Sequence, residues 1–363
     1  MNGLAIARPT YWHKYMPSNQ LFSTIYVVFV DTFTPITKSY LHKTLYMNKL
    51  IGLMAMVVLL GCNSTPSNVP VIGFVDAFED NTIAQAKKGF FDALAQKGYS
   101  ESKGNIKVIY RNAQGNIPTL TQIVKYMQSE QVTLLATCPS LSTVTAVQSK
   151  TKIPIFMMVA PMPNLMKITD ANGKAPANLF GVGENLAYID TSFLLIPTLL
   201  QKPQLTVGMI FNQSEPQSVE AIERIKSLAA NNNINLVYLP VNTSADVQLV
   251  TQSLLNKKID AFFANPDNTV FASFETIAKA CNQAKVPIFT SEAGLVSRGA
   301  VAAFGADIYD WGFQSGEQAA DFLAKGNTNG LTYTIVKTRK RVYNATVAAT
   351  FGLKVPATFQ AIQ

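Results

Sequence analysis

Histidine is almost missing from this chain of 363 residues. There are two, His13 and His42, and both lie near the N-terminus. Beyond position 61 no imidazole is present to activate a serine or cysteine nucleophile or to ligate a metal. Cysteine is as scarce. Cys62, Cys138 and Cys281 form no C-x-x-C pair, which excludes zinc ribbons and thioredoxin-like redox motifs. No run reaches the ~18 continuous apolar residues of a membrane-spanning helix. Charged residues make up only 14% of the chain against 48% hydrophobic. That balance excludes a disordered or collagen-like chain and supplies a core of ordinary size. The formal net charge of +8 is unevenly placed. Arg8, Lys14, Lys38, Lys43 and Lys49 stand against Asp31 alone in residues 1–61, leaving 25 basic and 21 acidic residues in the remainder. An excess that mild is not a nucleic-acid footprint, so no nucleic-acid partner is expected.

What is present begins with an address. Residues 47–62 read MNKLIGLMAMVVLLGC: Lys49 beside Met47, an apolar run from Leu50 to Leu60, then Gly61 and Cys62. A short positive region, a core of ~7–15 apolar residues and a small residue before the cut describe a secretory signal. Leu59-Leu60-Gly61-Cys62 resembles the bacterial lipobox, in which the cysteine becomes the lipid-modified first residue of the mature protein. The plainer reading is a buried helix ending at glycine. The polar, proline-containing stretch Asn63-Ser64-Thr65-Pro66-Ser67-Asn68 argues for a tether instead. The resemblance implies a body outside the cytoplasm, held at a membrane through Cys62. Residues 1–46 do not fit ahead of such a signal, since Phe22–Val30 is too short to span and Asp31 interrupts it. They are read as a non-native upstream extension, residues 47–61 as the signal peptide, and 62–68 as the tether.

From Val69 onward, apolar runs alternate with helical periodicity. Val69–Asp76 reads as a buried strand, and Ile83, Ala86, Phe90 and Leu94 as one face of a helix ended by Gly98. Strands follow at Ile106–Tyr110, Thr133–Ala136 and Ile155–Val159, with helices at Thr119–Glu130 and Ser142–Ser149 between them. The pattern restarts after Gly181. Strands are expected at Leu205–Phe211, Asn235–Leu239, Ala261–Ala264, Ile288–Ser291 and Ala300–Phe304. A helix opens at Ser214-Glu215-Pro216-Gln217 with cap-box spacing, and Ser244 caps the next. Another carries Val270, Phe274, Ile277 and Cys281, and a last long helix carries Tyr309, Phe313, Gly316, Ala320 and Leu323. Two such runs predict an α/β fold of two doubly wound parallel-sheet lobes.

In open α/β sheets ligands bind beyond the carboxyl ends of the strands, where helix N-termini gather. Two lobes facing one another give a cleft that closes by hinge motion. The segments after the strands are polar: Asp76-Ala77-Phe78-Glu79, Cys138 to Thr143, Asn212 to Ser218, Asn265 to Thr269, then Glu292, Asp307 and Tyr309. Four segments, IYRNAQG (Ile109–Gly115), FNQSEPQSV (Phe211–Val219), NPDNTVFASFE (Asn265–Glu275) and VSRGAVAAFGADIYDWGFQSGEQAA (Val296–Ala320), resemble the substrate-binding lipoproteins of bacterial ABC importers. The similarity is to the branch that includes tryptophan- and phenylalanine-binding members, and it runs from Val69 to the C-terminus. It implies the type I periplasmic binding protein fold with a three-strand hinge, lobe 1 holding residues 69–182 plus 305–330 and lobe 2 holding 183–304 plus 331–363. It also implies a small-molecule ligand, an ABC permease and ATPase as partners, a monomer, and no catalysis, metal or cofactor. Two other classes share the pattern: a ligand sensor for a membrane kinase or chemoreceptor, and an anchored α/β enzyme using carboxylates.

A zwitterionic amino acid needs an anion site, a cation site and a slot for its side chain. Ser140, Ser142 and Thr143 suit the carboxylate at a helix start, and Ser214 with Ser218 offers a similar site across the cleft. The plain alternative for both is helix capping. Asp267, Asp307 and Glu292 are strand-end acids that suit an ammonium or serve as caps, and Asp76 and Glu215 are counted with them as ligand-binding candidates. Asn212 and Asn268 supply amides or form turns, and Phe78 and Tyr309 stack on an aromatic ligand or pack the lobes. The chain departs from the family where an Asp-Pro pair is common, reading Val159-Ala160-Pro161-Met162. It departs again at Glu292-Ala293-Gly294, where an Asp-x-Asp is usual, and at Cys138-Pro139. Cys281 falls on a buried stripe and Cys138 reads as a free thiol. Gly181-Val-Gly183 reads as a crossover turn, and Lys337–Arg341 as a solvated face.

Overall fold

The computed structural model describes residues 69–362. The upstream extension 1–46, the signal 47–61, Cys62 as lipid acceptor and the tether 62–68 lie outside the described residues. The first strand, β1 (Val71–Asp76), is covered on both faces, as a central parallel strand requires. Asp80 then caps α1 (Asn81–Gln96), its carboxylate accepting from the Thr82 and Ile83 N–H groups at 2.8 and 2.9 Å. The predicted stripe Ile83, Ala86, Phe90 and Leu94 is buried. The run continues through β2 (Lys107–Asn112), α2 (Ile117–Ser129), β3 (Leu134–Cys138), α3 (Ser140–Gln148), β4 (Ile155–Pro161) and β5 (Leu179–Glu184). The second run holds α4 (Tyr188–Leu200), β6 (Leu205–Asn212), α5 (Pro216–Asn231), β7 (Ile234–Val241), α6 (Val247–Leu255) and β8 (Ala261–Ala264). It goes on through α7 (Asn268–Ala272), α8 (Phe274–Gln283), β9 (Ile288–Thr290), α9 (Ala293–Ser297) and β10 (Ala302–Ala306). The chain ends with α10 (Ile308–Lys325), β11 (Thr334–Ile335), β12 (Arg339–Asn344), α11 (Ala345–Thr350) and β13 (Gln360–Ile362).

These strands make two sheets, one of six strands in the order β11-β5-β4-β3-β1-β2 and one of seven in the order β13-β12-β10-β9-β8-β6-β7. All described pairings are parallel except β10 with β12. The α/β class with doubly wound parallel sheets is what the alternation predicted. The chain crosses between the sheets three times: from β5 into α4, from β10 into α10, and from β11 into β12. The division read from sequence shifts by a few residues at each crossing. β5 runs to Glu184, β10 to Ala306, and β11 pairs with β5 through Thr334–Val182 and Ile335–Gly183, so the first sheet keeps the chain past residue 330.

Three local expectations give way to packing. Gly181 and Gly183 lie inside β5 and not in a turn. Gly181 has φ +92°, and a Cβ there would meet the Met157 carbonyl oxygen at 2.3 Å. The single helix expected after β8 breaks at Ser273 into α7 and α8, although Val270, Phe274, Ile277 and Cys281 are all buried. On α10 the inward face is Ile308, Trp311, Gly312, Ser315, Gly316, Ala319 and Ala320, with Tyr309 and Phe313 at its rim. The cause is the closeness of α1: a Cβ on Gly312 would sit 1.9 Å from the Ala86 carbonyl oxygen.

The crossings are tied to one another. Arg339 Nη2 donates to both carboxylate oxygens of the fully buried Glu184, at 2.8 and 2.6 Å. Lys340 pairs with Asp307, whose N–H donates to the Thr338 carbonyl at 3.1 Å. Arg341 lies over the Phe304 ring, 4.5 Å from its centroid. Within the basic run, Lys337, Lys340 and Arg341 remain exposed, as expected of a solvated face, while Arg339 is half-buried against Glu184.

Candidate ligand-binding cleft

The strand ends of both sheets converge on a narrow, partly open cavity of about 30 Å³. That is about the room of one water and far below the ~300–1,000 Å³ of occupied small-molecule sites, so the two walls have to part to admit a solute. The first sheet contributes Ser140 at the start of α3 and Val159, Ala160 and Pro161 at the end of β4. The second contributes Gln217, Pro266, Asn268, Phe271 and Glu292, while Leu186, Tyr188 and Trp311 enter beside the crossings. Trp311 donates its indole N–H to the Val182 carbonyl at 2.8 Å, which leaves its ring as apolar wall. The lining holds one ionisable acid, Glu292, and no lysine or arginine.

Glu292 is 2% exposed. Its Oε1 accepts from the Tyr188 hydroxyl at 3.3 Å, and its Oε2 has no hydrogen-bond partner. Burial, with the negative charges of Glu184 and Asp80 adding to it, pushes its carboxyl up to about 8. An orphaned carboxylate oxygen in such a place carries the full desolvation cost of the group. A donor cation inside the cavity removes that cost.

The opposite wall is neutral and hydrogen-bonded across the cleft. Ser140 Oγ donates to Gln217 Oε1 at 3.0 Å, and Asn268 Nδ2 lies 3.3 Å from the same hydroxyl. Both partners are positioned by Glu215. That carboxylate accepts from Gln217 Nε2, from the Asn268 N–H and Nδ2 at 2.8 Å each, and from Thr269 N and Oγ1 at 3.2 and 3.0 Å. Glu215 is the N-cap residue of α5 but bonds none of that helix's N–H groups with its side chain. The cap box expected from Ser214 is absent because Glu215 is turned toward α7. Burial and the neighbouring Asp267 charge push Glu215 up to about 8. Asp267, also raised by burial, caps α7 through the Val270 N–H at 3.0 Å and accepts from Asn212 N and Ser218 Oγ at 2.6 and 2.5 Å.

The structure thus sorts the residues singled out from sequence. Ser140, Asn268 and Glu292 line the cavity, and Glu215 stands directly behind it. Asn212, Ser214, Ser218 and Asp267 form the network beneath α5 and α7. Ser142 donates to the Cys138 carbonyl at 2.8 Å and Thr143 bonds Thr137, so both are engaged within their own sheet. Asp76 accepts from the Tyr110 hydroxyl and the Phe78 N–H, and burial lifts it to about 6. Phe78 is buried against Gly115. Asp307 caps α10 and pairs with Lys340. Tyr309 points to Asp92, its hydroxyl 2.8 Å from Oδ2. Neither Asp307 nor Tyr309 lines this cavity.

Sequence reasoning missed Gln217, Tyr188, Phe271 and Trp311. Gln217 stands within the quoted segment Phe211–Val219 but was passed over for its serines. Trp311 is one of only two tryptophans in the chain and follows a sheet crossing, a usable signal. Tyr188 arrives from a crossing and not from a strand end, so the strand-end rule had no means of finding it.

Comparison with known proteins agrees with this arrangement. Residues 68–361 match the family model described as ABC transporter substrate binding protein. A tyrosine-binding protein of Clostridioides difficile is 29% identical over 308 residues, covering 81% of this chain and 88% of the relative. The crystal structure of a conserved domain protein from Vibrio cholerae superposes with a TM-score of 0.74 at 29% identity, over 81% of this chain and 99% of that one. An ABC domain from Streptococcus pneumonia in complex with L-Trp superposes with a TM-score of 0.73 at 21% identity, with the same coverage. Solute-binding structures of the type I periplasmic kind share the fold at 12–15% identity. With a family match across nearly all of the described residues, and with paired parallel sheets meeting at a cavity, this chain belongs to the non-enzymatic ABC transporter substrate-binding proteins.

Proposed function

We propose that the protein is an extracytoplasmic, lipid-anchored receptor that captures an amino acid with an aromatic side chain and delivers it to an ABC permease and its ATPase. The two sheets act as first and second lobes that close around the guest. The observation that carries this reading is the buried, unpartnered Oε2 of Glu292, a residue that lines a cavity walled by Tyr188, Phe271 and Trp311. An α-ammonium group supplies the missing donors. Ser140, Gln217 and Asn268 are neutral groups suited to the α-carboxylate, and the aromatic wall suits a planar side chain. The tyrosine-binding relative and the L-Trp complex support the same solute class. Cys62 is the anchor, following the Leu59-Leu60-Gly61 signal end.

Isothermal titration with L-tyrosine, L-tryptophan, L-phenylalanine, leucine, a nucleoside and a sugar tests the assignment. Binding by an aromatic amino acid, with loss of about thirtyfold or more in Glu292→Gln, is expected, since removing one partner of a buried charged pair costs ~2–5 kcal/mol. Equal affinity in Glu292→Gln, or binding of the sugar alone, overturns it. For the anchor, intact-mass analysis of membrane-extracted protein is expected to show acylated Cys62 as the first residue.

A further inference from the structure

Outside the cavity, one arginine joins the two lobes. Arg298 follows α9, and its guanidinium uses all five N–H donors. Three are spent within the second lobe: Nε and Nη2 on the two oxygens of Glu275, 2.8 Å each, and Nη2 again on the Phe271 carbonyl at 2.9 Å. The guanidinium also lies over the Phe274 ring, 5.4 Å from its centroid. The remaining Nη1 crosses to the first lobe, reaching Asp80 Oδ2 at 2.7 Å and Thr82 Oγ1 at 3.0 Å. The arginine is thus aligned by its own lobe before it meets the other. Its target is equally prepared, because Asp80 holds its second oxygen on the α1 N–H groups. The Arg298 side chain is 14% exposed and that of Asp80 2%, so water screens this pair little.

A second, independent feature lies one helical turn earlier. Gly294 meets Thr82 so closely that a Cβ there would fall 2.3 Å from Thr82 Cγ2 and 3.0 Å from Oγ1. Positions 294 and 298 therefore present one face of α9 to the start of α1: an empty notch for the threonine and a fork for the aspartate. None of Arg298, Gly294, Asp80 and Thr82 lines the cavity.

We propose that Arg298 and Gly294, docking on Asp80 and Thr82, form a closure latch that sets how long the receptor holds its guest without touching that guest. The latch rests on the reading of the two sheets as closing lobes, not on the identity of the solute. It makes closing specific to one mutual orientation of the lobes, and its release is part of opening.

The test is single-molecule FRET on the full chain, with dyes on Lys103→Cys in the first lobe and Lys257→Cys in the second, both exposed. Closed-state lifetimes are read in the empty protein and with L-tyrosine. Arg298→Gln and Gly294→Ala are expected to shorten the closed lifetime about tenfold in each condition. Thr82→Ala removes the two atoms nearest the added methyl, so Gly294→Ala with Thr82→Ala should recover most of the lifetime lost in Gly294→Ala alone. Asp80→Asn, which keeps the cap and removes the charge, should shorten the lifetime as Arg298→Gln does. Unchanged lifetimes in Arg298→Gln and Gly294→Ala, or a wild-type protein that shows no closed state in either condition, overturn the latch. Closed excursions that shorten in the variants but ignore L-tyrosine support the latch while counting against the amino-acid reading.

Discussion

Glu292 sets a conflict between burial and charge. In the structure its carboxyl is pushed up to about 8, against an ordinary 4.5 when solvated, and the proposed closing of the lobes is what buries it. The closed form therefore binds that proton more tightly than an open or unfolded form. The sign follows: closure without a guest is favoured fully below about pH 4.5 and loses that support as the pH rises through 8. The closed fraction of empty protein, measured by small-angle scattering, is expected to fall between pH 5 and pH 8, and Glu292→Gln is expected to flatten the profile. A bound ammonium keeps Glu292 ionised and removes the dependence. At this scale the sequence was informative about polarity and less so about direction. Ser140, Asn268 and Glu292 were found because strand ends must face the cleft. Tyr309 and Asp307 obeyed the same rule yet turned away, because Asp92 and Lys340 offered them partners that lie far off in the chain.

Among elements, the pairing of α1 with α10 shows how backbone proximity is written in small residues. Gly89, Gly312 and Gly316 each leave a gap into which the other helix's backbone presses. Gly312→Ala places its methyl 1.9 Å from the Ala86 carbonyl oxygen, so the helices must separate. Overpacking of this kind costs about 1–3 kcal/mol, and a lower urea midpoint with unchanged slope is the expected reading. Elements built on strong alternation were legible. β8 occupies the predicted Ala261–Ala264, and α1, β6 and α5 depart by a few residues at their ends. The segments after residue 161 were not all legible. β5, with two glycines, lacks the side chains that mark a strand, and α4 is apolar on nearly every face, including Pro197 within it. β11 and β13 are two and three residues long, too short to carry a period.

Across the whole molecule, paired charges tie the crossings to one another: Arg339 to Glu184 and Lys340 to Asp307. Arg339→Met leaves the buried Glu184 carboxylate without its cation, and burial already holds that group above its ordinary range. Such a loss destabilises by about 3–5 kcal/mol, measurable by equilibrium unfolding, whereas adding Glu184→Gln should restore most of it. The order of the strands has a further effect. The long helix α10 that roofs the first sheet, and its edge strand β11, are encoded after nearly all of the second sheet. A growing polypeptide therefore cannot finish the part it began with until its last fifth has been made. For most of synthesis the first sheet therefore stays incomplete, and under the proposed export that is the state a translocating polypeptide has to keep.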